Sequence, residues 1–253
     1  MAPPPPKASA SRPRLESFAL KPGRKIGPRY QVVQKLGGGV EGEVYQILES
    51  DTHIHRAAKL YFPHRDPKHR STIWYARKLN TLRHCPIVLQ YHHTEIIQVQ
   101  GHSVRCLISE LCEGMQLEKW IAQHRGGRLQ PFQALHVLYR LAQGLEAIHL
   151  LGEYHSDVHS QNILIQPRGI AFDLKLVDFY DWGRPARRKQ QQDIIDSVRI
   201  LHECIGGRSH YKDAPPEIRH ICIGLQWKRV LKRFPTIAAL RRHLETFQWQ
   251  TLL

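Results

Sequence analysis

Cysteine is scarce and unpatterned in this chain of 253 residues: five occur, Cys85, Cys106, Cys112, Cys204 and Cys222, with no Cys-x-x-Cys pair. An odd count in mostly apolar surroundings excludes a disulfide framework and offers no zinc-ligand spacing, so a reducing compartment, a cytoplasm, is expected. Long apolar runs are missing too. The most apolar stretch, Leu135 to Leu151, is interrupted by His136, Arg140, Gln143 and Glu146, which leaves no window of about 18 apolar residues to span a membrane. The opening Met-Ala-Pro-Pro-Pro-Pro lacks the charged-then-apolar order of a secretory signal. Acids are few, 22 Asp+Glu against 37 Lys+Arg, for a formal charge of +15. Such a balance favours anionic partners in general. Seven of the cations, against the single acid Glu16, fall in residues 1–29, so that segment carries +6 and the remainder +9. A single aromatic, Phe18, lies among those cations, too few for a stacking surface, so nucleic-acid binding is not expected.

Residues 1–29 hold seven prolines and few large apolar groups, a composition that predicts a disordered, basic, Pro-rich tail. From Tyr30 the pattern changes. Tyr30–Leu36, Val44–Leu48, Ala57–Tyr61, Glu95–Val99 and Val104–Ser109 are short β-prone runs, with a helical segment at Ser71–Arg83. Beyond Glu113 apolar residues recur at helical spacing: Leu138, Leu141, Leu145, Ile148, then Ile194, Val198, Leu201, Ile205, then Ile237, Leu240, Leu244, Phe247. A β-rich half followed by a helical half predicts an α+β domain over 30–253 in two lobes, about 30–110 and 111–253, with a ligand cleft between them.

Three motifs carry chemistry. In Leu36-Gly37-Gly38-Gly39-Val40-Glu41-Gly42-Glu43-Val44, glycines at G-x-G-x-x-G spacing sit between two strands, where bare backbone can approach phosphate oxygens. Lys59, in Ala57-Ala-Lys-Leu-Tyr61, would hold an ammonium beneath that loop. In His155-Ser-Asp157-Val-His159-Ser-Gln-Asn162, a carboxylate able to accept a hydroxyl proton precedes by five residues a carboxamide able to ligate a hard cation. In Leu176-Val-Asp178-Phe179-Tyr180 an acid ends an apolar strand. Each acid could also cap a turn.

In order and spacing the set resembles the signature of the protein kinase superfamily, and in particular the eukaryotic-like Ser/Thr kinases, over about Tyr30 to Phe247. The resemblance implies a two-lobed fold with a five-stranded antiparallel sheet plus a helix, αC, in the first lobe. It implies ATP and Mg²⁺ as cofactors and transfer of the γ-phosphoryl to a protein hydroxyl. It further implies that Gly37, Gly39 and Gly42 cover the phosphates, that Lys59 contacts them, and that Asp157 is the catalytic acid/base. Asn162 and Asp178 would hold Mg²⁺. Val44, Ala57 and Leu164 would sandwich the adenine, with backbone from Glu110 to Cys112 hydrogen-bonding it and Ser109 at the back of the pocket.

The departures matter as much. The αC Glu that pairs with the strand Lys falls, by spacing, at Ala76, and no acid occurs between Asp66 and Glu95. Glu41, Glu43 and Glu95 are the candidate substitutes. Ser156 stands for the catalytic-loop Arg, Tyr180 for the Gly of D-F-G and His159 for the catalytic-loop Lys. The stretch from Asp178 to Asp193 is short and has no Ala-Pro-Glu, so Arg233 lacks the acid it would meet. Residues 184–189 form a basic stub that would either face water or attract an acidic or phosphorylated substrate. Three functions therefore stay open: a Ser/Thr protein kinase, a kinase-fold small-molecule phosphotransferase, or a nucleotide-binding pseudokinase. The histidine pairs His53-x-His55 and His92-His93 have no ligand-spaced partners and read as surface or core residues.

Overall fold

The computed structural model describes residues 14–179, 183 and 186–248. Its contacts divide into two units: residues up to Ile73 with His92–Ser109, and Trp74–Tyr91 with Glu110 onward. Most of the first long helix groups with the second unit.

The first unit is built on strands β1 (Lys25–Ile26), β2 (Tyr30–Gly38), β3 (Gly42–Glu49) and β4 (His55–Tyr61). Helix α1 (Arg70–Thr81) follows, then β5 (Tyr91–Val99) and β6 (His102–Glu110), and the sheet order is β1-β2-β3-β4-β6-β5. Strands β1 to β4 pair antiparallel, each with the next. Between β5 and β6, Gln100 and Gly101 both take positive φ, 50° and 77°, the two-residue turn whose twist suits a hairpin.

The sheet has six strands, not five. The extra one comes from the segment that composition assigns to a disordered tail, and for residues 14–29 that expectation is corrected. Leu15, Phe18 and Ile26 are buried with Tyr30, Tyr45, Ile47 and Leu60 in one core, and Phe18 stacks on Phe62 at 5.1 Å. Each such burial contributes about 1.5–3 kcal/mol, enough to order a short segment whose mean composition is polar. Residues 1–13 lie outside the described residues.

A buried acid fastens this segment. Glu43, 2% exposed, accepts hydrogen bonds from Ser17 Oγ (2.9 Å), Phe18 N (3.1 Å), Lys35 Nζ (2.5 Å) and the Tyr45 hydroxyl. Burial alone would raise its pKa; the donors, Lys35 foremost, outweigh that and hold the carboxyl below the usual range.

In the second unit β7 (Met115–Gln116) leads into α2 (Leu117–Gln123) and α3 (Pro131–Leu150). Strands β8 (Ile163–Arg168) and β9 (Ala171–Leu176) complete a small sheet ordered β7-β8-β9. Then come α4 (Arg187–Cys204), α5 (Pro216–Cys222), α6 (Trp227–Arg233) and α7 (Ile237–Thr246). Helix α3 packs on α4 and α7, and Leu138, Leu141 and Leu145 of α3 and Ile194, Val198 and Leu201 of α4 are buried, as their spacing predicts. The basic stub is not a loop throughout: from Arg187 it is the first turn of α4. Arg184 and Tyr180 lie outside the described residues.

Because the folded-state pKa of Glu43 is depressed, its stabilisation is fully present above the ordinary carboxyl pKa and is lost as pH falls from there through the lower folded-state value. Glu43→Gln is expected to lower unfolding free energy at neutral pH by about 1–3 kcal/mol. Denaturant titrations from pH 7 to 3.5 should show the difference between the two proteins shrinking with acid.

Candidate active site

In the first unit the glycine-rich motif is a hairpin. Gly37 pairs with Val44 and Gly38 with Glu43, and Gly39 N donates to Gly42 O at 3.0 Å. The glycines are not equivalent. A Cβ at Gly42 would stand 1.9 Å from the Leu60 carbonyl oxygen, whereas at Gly37 and Gly39 it would meet nothing within 4 Å. Gly42 is therefore demanded by close packing of β3 on β4. Gly37 and Gly39 are not required by packing, and their bareness leaves backbone open to a phosphate.

Register sorts the remaining residues by face. Val44 pairs with Lys59 and Gln46 with Ala57, so Val44, Ala57 and Lys59 share one face of the sheet, while Glu43, Tyr45 and Leu60 line the opposite, core face. The Lys59 ammonium lies 5.0 Å from the centroid of the Tyr61 ring. Tyr61 is the register partner of Gly42, so the ammonium leans toward the glycine-rich end. Two of the candidate substitutes for the αC acid are committed elsewhere. Glu43 sits on the wrong face, and Glu95 pairs with Arg29 (3.4 Å) and His93 (3.3 Å).

In the second unit the loop 154–162 is held from beneath by α4. Asp193, fully buried, accepts from His155 N (2.9 Å) and Ser156 N (2.6 Å), and its Oδ2 lies 2.8 Å from His149 Nε2. Ser156 takes φ +71°, a conformation costing about 1–2 kcal/mol that these bonds offset. His155 is 1% exposed and serves as a strut. Its Nδ1 accepts from Asp157 N at 3.3 Å, and Nε2 lies 2.9 Å from Val177 O. One neutral tautomer, protonated at Nε2, satisfies both. Burial pushes the His155 pKa down against the pull of Asp193, which favours that neutral form.

Asp157 projects from this base with its side chain 52% exposed, and His159 Nε2 lies 3.6 Å from its carboxylate. Asn162, buried, donates from Nδ2 to Asp157 O (3.1 Å) and Oδ2 (3.3 Å). Its amide oxygen is thereby left as the side-chain acceptor. Val177 N donates to Asn162 O at 3.0 Å, which places Asp178 beside Asn162. Asp157, Asn162 and Asp178 are thus brought together. A carboxylate plus a neutral amide oxygen is a hard-oxygen donor set that suits Mg²⁺. Among the described residues no cluster of three or more His, Cys, Asp or Glu forms a complete metal cage, and Mg²⁺ usually takes few protein ligands alongside substrate phosphates.

Glu110, Cys112 and Leu164 border a cavity of about 750 Å³ that Ile87 and Gly144 also line. Glu110 is engaged on both sides: its N donates to Gln90 O at 2.9 Å and its carboxylate accepts from Lys175 Nζ at 2.7 Å. Burial pushes the Cys112 thiol up to about 12, which makes it unreactive. Ser109 is buried.

Ala76 is buried on α1, and its neighbour Tyr75 reaches the Asp178 segment, its hydroxyl accepting from Asp178 N at 3.3 Å. The grip of Asp193 was not read, although an aspartate inside the apolar stripe of α4 was a visible signal.

A model of the protein kinase domain matches residues 30–199. The chain is 26% identical over 164 residues to CBL-interacting protein kinase 22 of Oryza sativa, covering 60% of this chain and 36% of that protein. It is 28% identical over 217 residues to serine/threonine-protein kinase PknH of Mycobacterium tuberculosis, covering 75% of this chain and 33% of that one. Against serine/threonine-protein kinase pkn2 of Myxococcus xanthus it is 27% identical over 155 residues, covering 60% and 18%. The chain thus spans between 18% and 36% of these relatives' lengths. Among solved structures, the kinase domain of M. tuberculosis PknI superposes with a TM-score of 0.64 at 18% identity, covering 90% of this chain and 97% of that one.

The unequal glycines generate a test. Gly42→Ala is expected to cost about 3 kcal/mol of stability through overpacking. Gly39→Ala should leave the thermal midpoint within about 2 °C, since surface changes are worth only tenths of a kcal/mol, while weakening ATP binding. Thermal melts with nucleotide titration read both.

Proposed function

The chain belongs to the protein kinase family, and we propose that it transfers the γ-phosphoryl of ATP to a serine or threonine hydroxyl of a protein. The observation that carries this reading is that Asp157 and Asn162 lie in a loop supported by Asp193 and His155, to which Val177, the neighbour of Asp178, is hydrogen-bonded.

Each residue's role follows from its setting. Asp157, half-exposed, can accept a hydrogen bond from an incoming hydroxyl and take its proton, while Asn162 Nδ2 keeps the carboxylate oriented. Asn162 and Asp178 would hold Mg²⁺, which neutralises charge on the phosphoryl oxygens when bound. Lys59 would pair with phosphate charge. In the first unit Val44 and Ala57 would offer apolar surface to the adenine; in the second, Leu164 would do the same and backbone near Glu110 and Cys112 would offer hydrogen bonds. Catalysis on this reading is chiefly positioning and electrostatic stabilisation.

Other features bear on substrate and setting. Arg187 and Arg188 are exposed on the first turn of α4, which supports an acidic or phosphorylated protein substrate. No described helix is long and apolar enough to cross a membrane, and all five cysteines are free; together these support a cytoplasmic setting. One observation favours a second reading. His159, 3.6 Å from Asp157, replaces the lysine of protein kinases and resembles the small-molecule phosphotransferases of the aminoglycoside and choline type.

With γ-labelled ATP, Mg²⁺ and a cell extract, label should enter protein bands, and Asp157→Ala should reduce it about 10²–10⁴-fold. Asp157-dependent label found only in small molecules would replace the first reading by the second, and no Asp157-dependent transfer would leave a pseudokinase. Arg187→Glu with Arg188→Glu should raise KM for an acidic peptide several-fold, with kcat little changed, as the loss of encounter electrostatics requires.

A further inference from the structure

Helix α1 contains no carboxylate, yet its inner face is not purely apolar. Lys78 is 7% exposed, among buried Tyr75, Leu79 and Leu82. An ammonium is stable there only if its charge is met. Its partners all belong to the catalytic segments. Lys78 Nζ is ion-paired with Glu153, lies 4.3 Å from the Tyr154 ring centroid and 6.0 Å from that of Phe179. Tyr154 carries a second cation, Lys189 of α4, at 4.6 Å, and its hydroxyl donates to Gly183 O at 2.6 Å. Glu153 and Tyr154 begin the loop that presents Asp157, while Phe179 follows Asp178. One turn earlier on the same helix, Tyr75 accepts the Asp178 amide, and Asp178 takes φ +61°, a conformation that a non-glycine residue adopts only at a cost.

We infer that Tyr75 and Lys78 are positioning residues for Asp178: α1 sets the metal-ligand segment through a phenol and a buried ammonium rather than through a helix carboxylate. Tyr75 holds the left-handed backbone at Asp178 directly. Lys78 holds the residues on either side, Glu153 and Tyr154 before Asp157 and Phe179 after Asp178, so displacement of α1 would disturb both together. The inference rests on the reading of Asp178 as a residue that holds Mg²⁺.

The test compares wild type, Tyr75→Phe, Lys78→Met and Lys78→Arg, each checked for cooperative melting, by two measurements. One is amide exchange in the peptide containing Asp178. The other is the factor by which Mg²⁺ raises ATP affinity over metal-free buffer. Tyr75→Phe and Lys78→Met should speed exchange and shrink the Mg²⁺ factor about tenfold, roughly one hydrogen bond's worth, with metal-free ATP affinity unchanged. Lys78→Arg keeps the charge beside Glu153 and should restore most of both. The inference is overturned if either measurement stays at the wild-type value in both variants, or if metal-free affinity falls equally, which would mark general damage. A wild type with no Mg²⁺ effect overturns it as well. A wild type with the Mg²⁺ effect but no protein labelling overturns only the proposed activity.

Discussion

The buried carboxylate of Asp193 is the constraint on which the catalytic segment depends. It sits in α4, among residues that pack the core of the second unit, and it accepts two consecutive backbone amides, His155 and Ser156, with His149 on the same oxygen as His155. Two adjacent amides can converge on one carboxylate only where the chain turns sharply, which is why Ser156 is left-handed without being glycine. From that turn the rest is set in sequence: His155 is directed inward to Val177, Asp157 outward, and Asn162 back onto Asp157. The family's arginine is absent at Ser156, and the loop is held by the helix beneath it.

A second buried carboxylate does comparable work in the first unit. Glu43 could be mistaken for a substitute partner of Lys59, since the two are close in the sheet. Period-two alternation puts them on opposite faces, and the four donors around Glu43 tie residues 17 and 18, a lysine and a tyrosine into one network. That network converts a segment of tail-like composition into part of the core. Each of these two carboxylates is thus buried where several donors meet it, the condition under which burial of an ion is tolerable.

Much of this was legible beforehand. The strands from Tyr30 to Tyr61 and the helices α3, α4 and α7 follow from period two and period 3.6, and the three motifs locate Lys59, Asp157, Asn162 and Asp178. What was not legible has identifiable causes. Mean composition hid Leu15, Phe18 and Ile26 among prolines and cations, so a strand was lost. That Tyr75 of α1 meets Asp178 depends on a contact 103 positions apart in the chain. A lysine in a helix ordinarily faces water, and nothing local distinguishes Lys78 from Arg77.

The sequence by itself determined the order of elements and the chemical types at the site, because backbone periodicity and glycine, lysine and acid spacing are local properties of the chain. Only the tertiary structure decided which of the three motif glycines is bare for a ligand and which is crowded by Leu60, which acids are already consumed by partners, and which side chains of α1 reach Glu153, Phe179 and Asp178. Those outcomes rest largely on contacts between residues 18 to 103 positions apart, and local pattern carries no information about which distant donor a buried acceptor will meet.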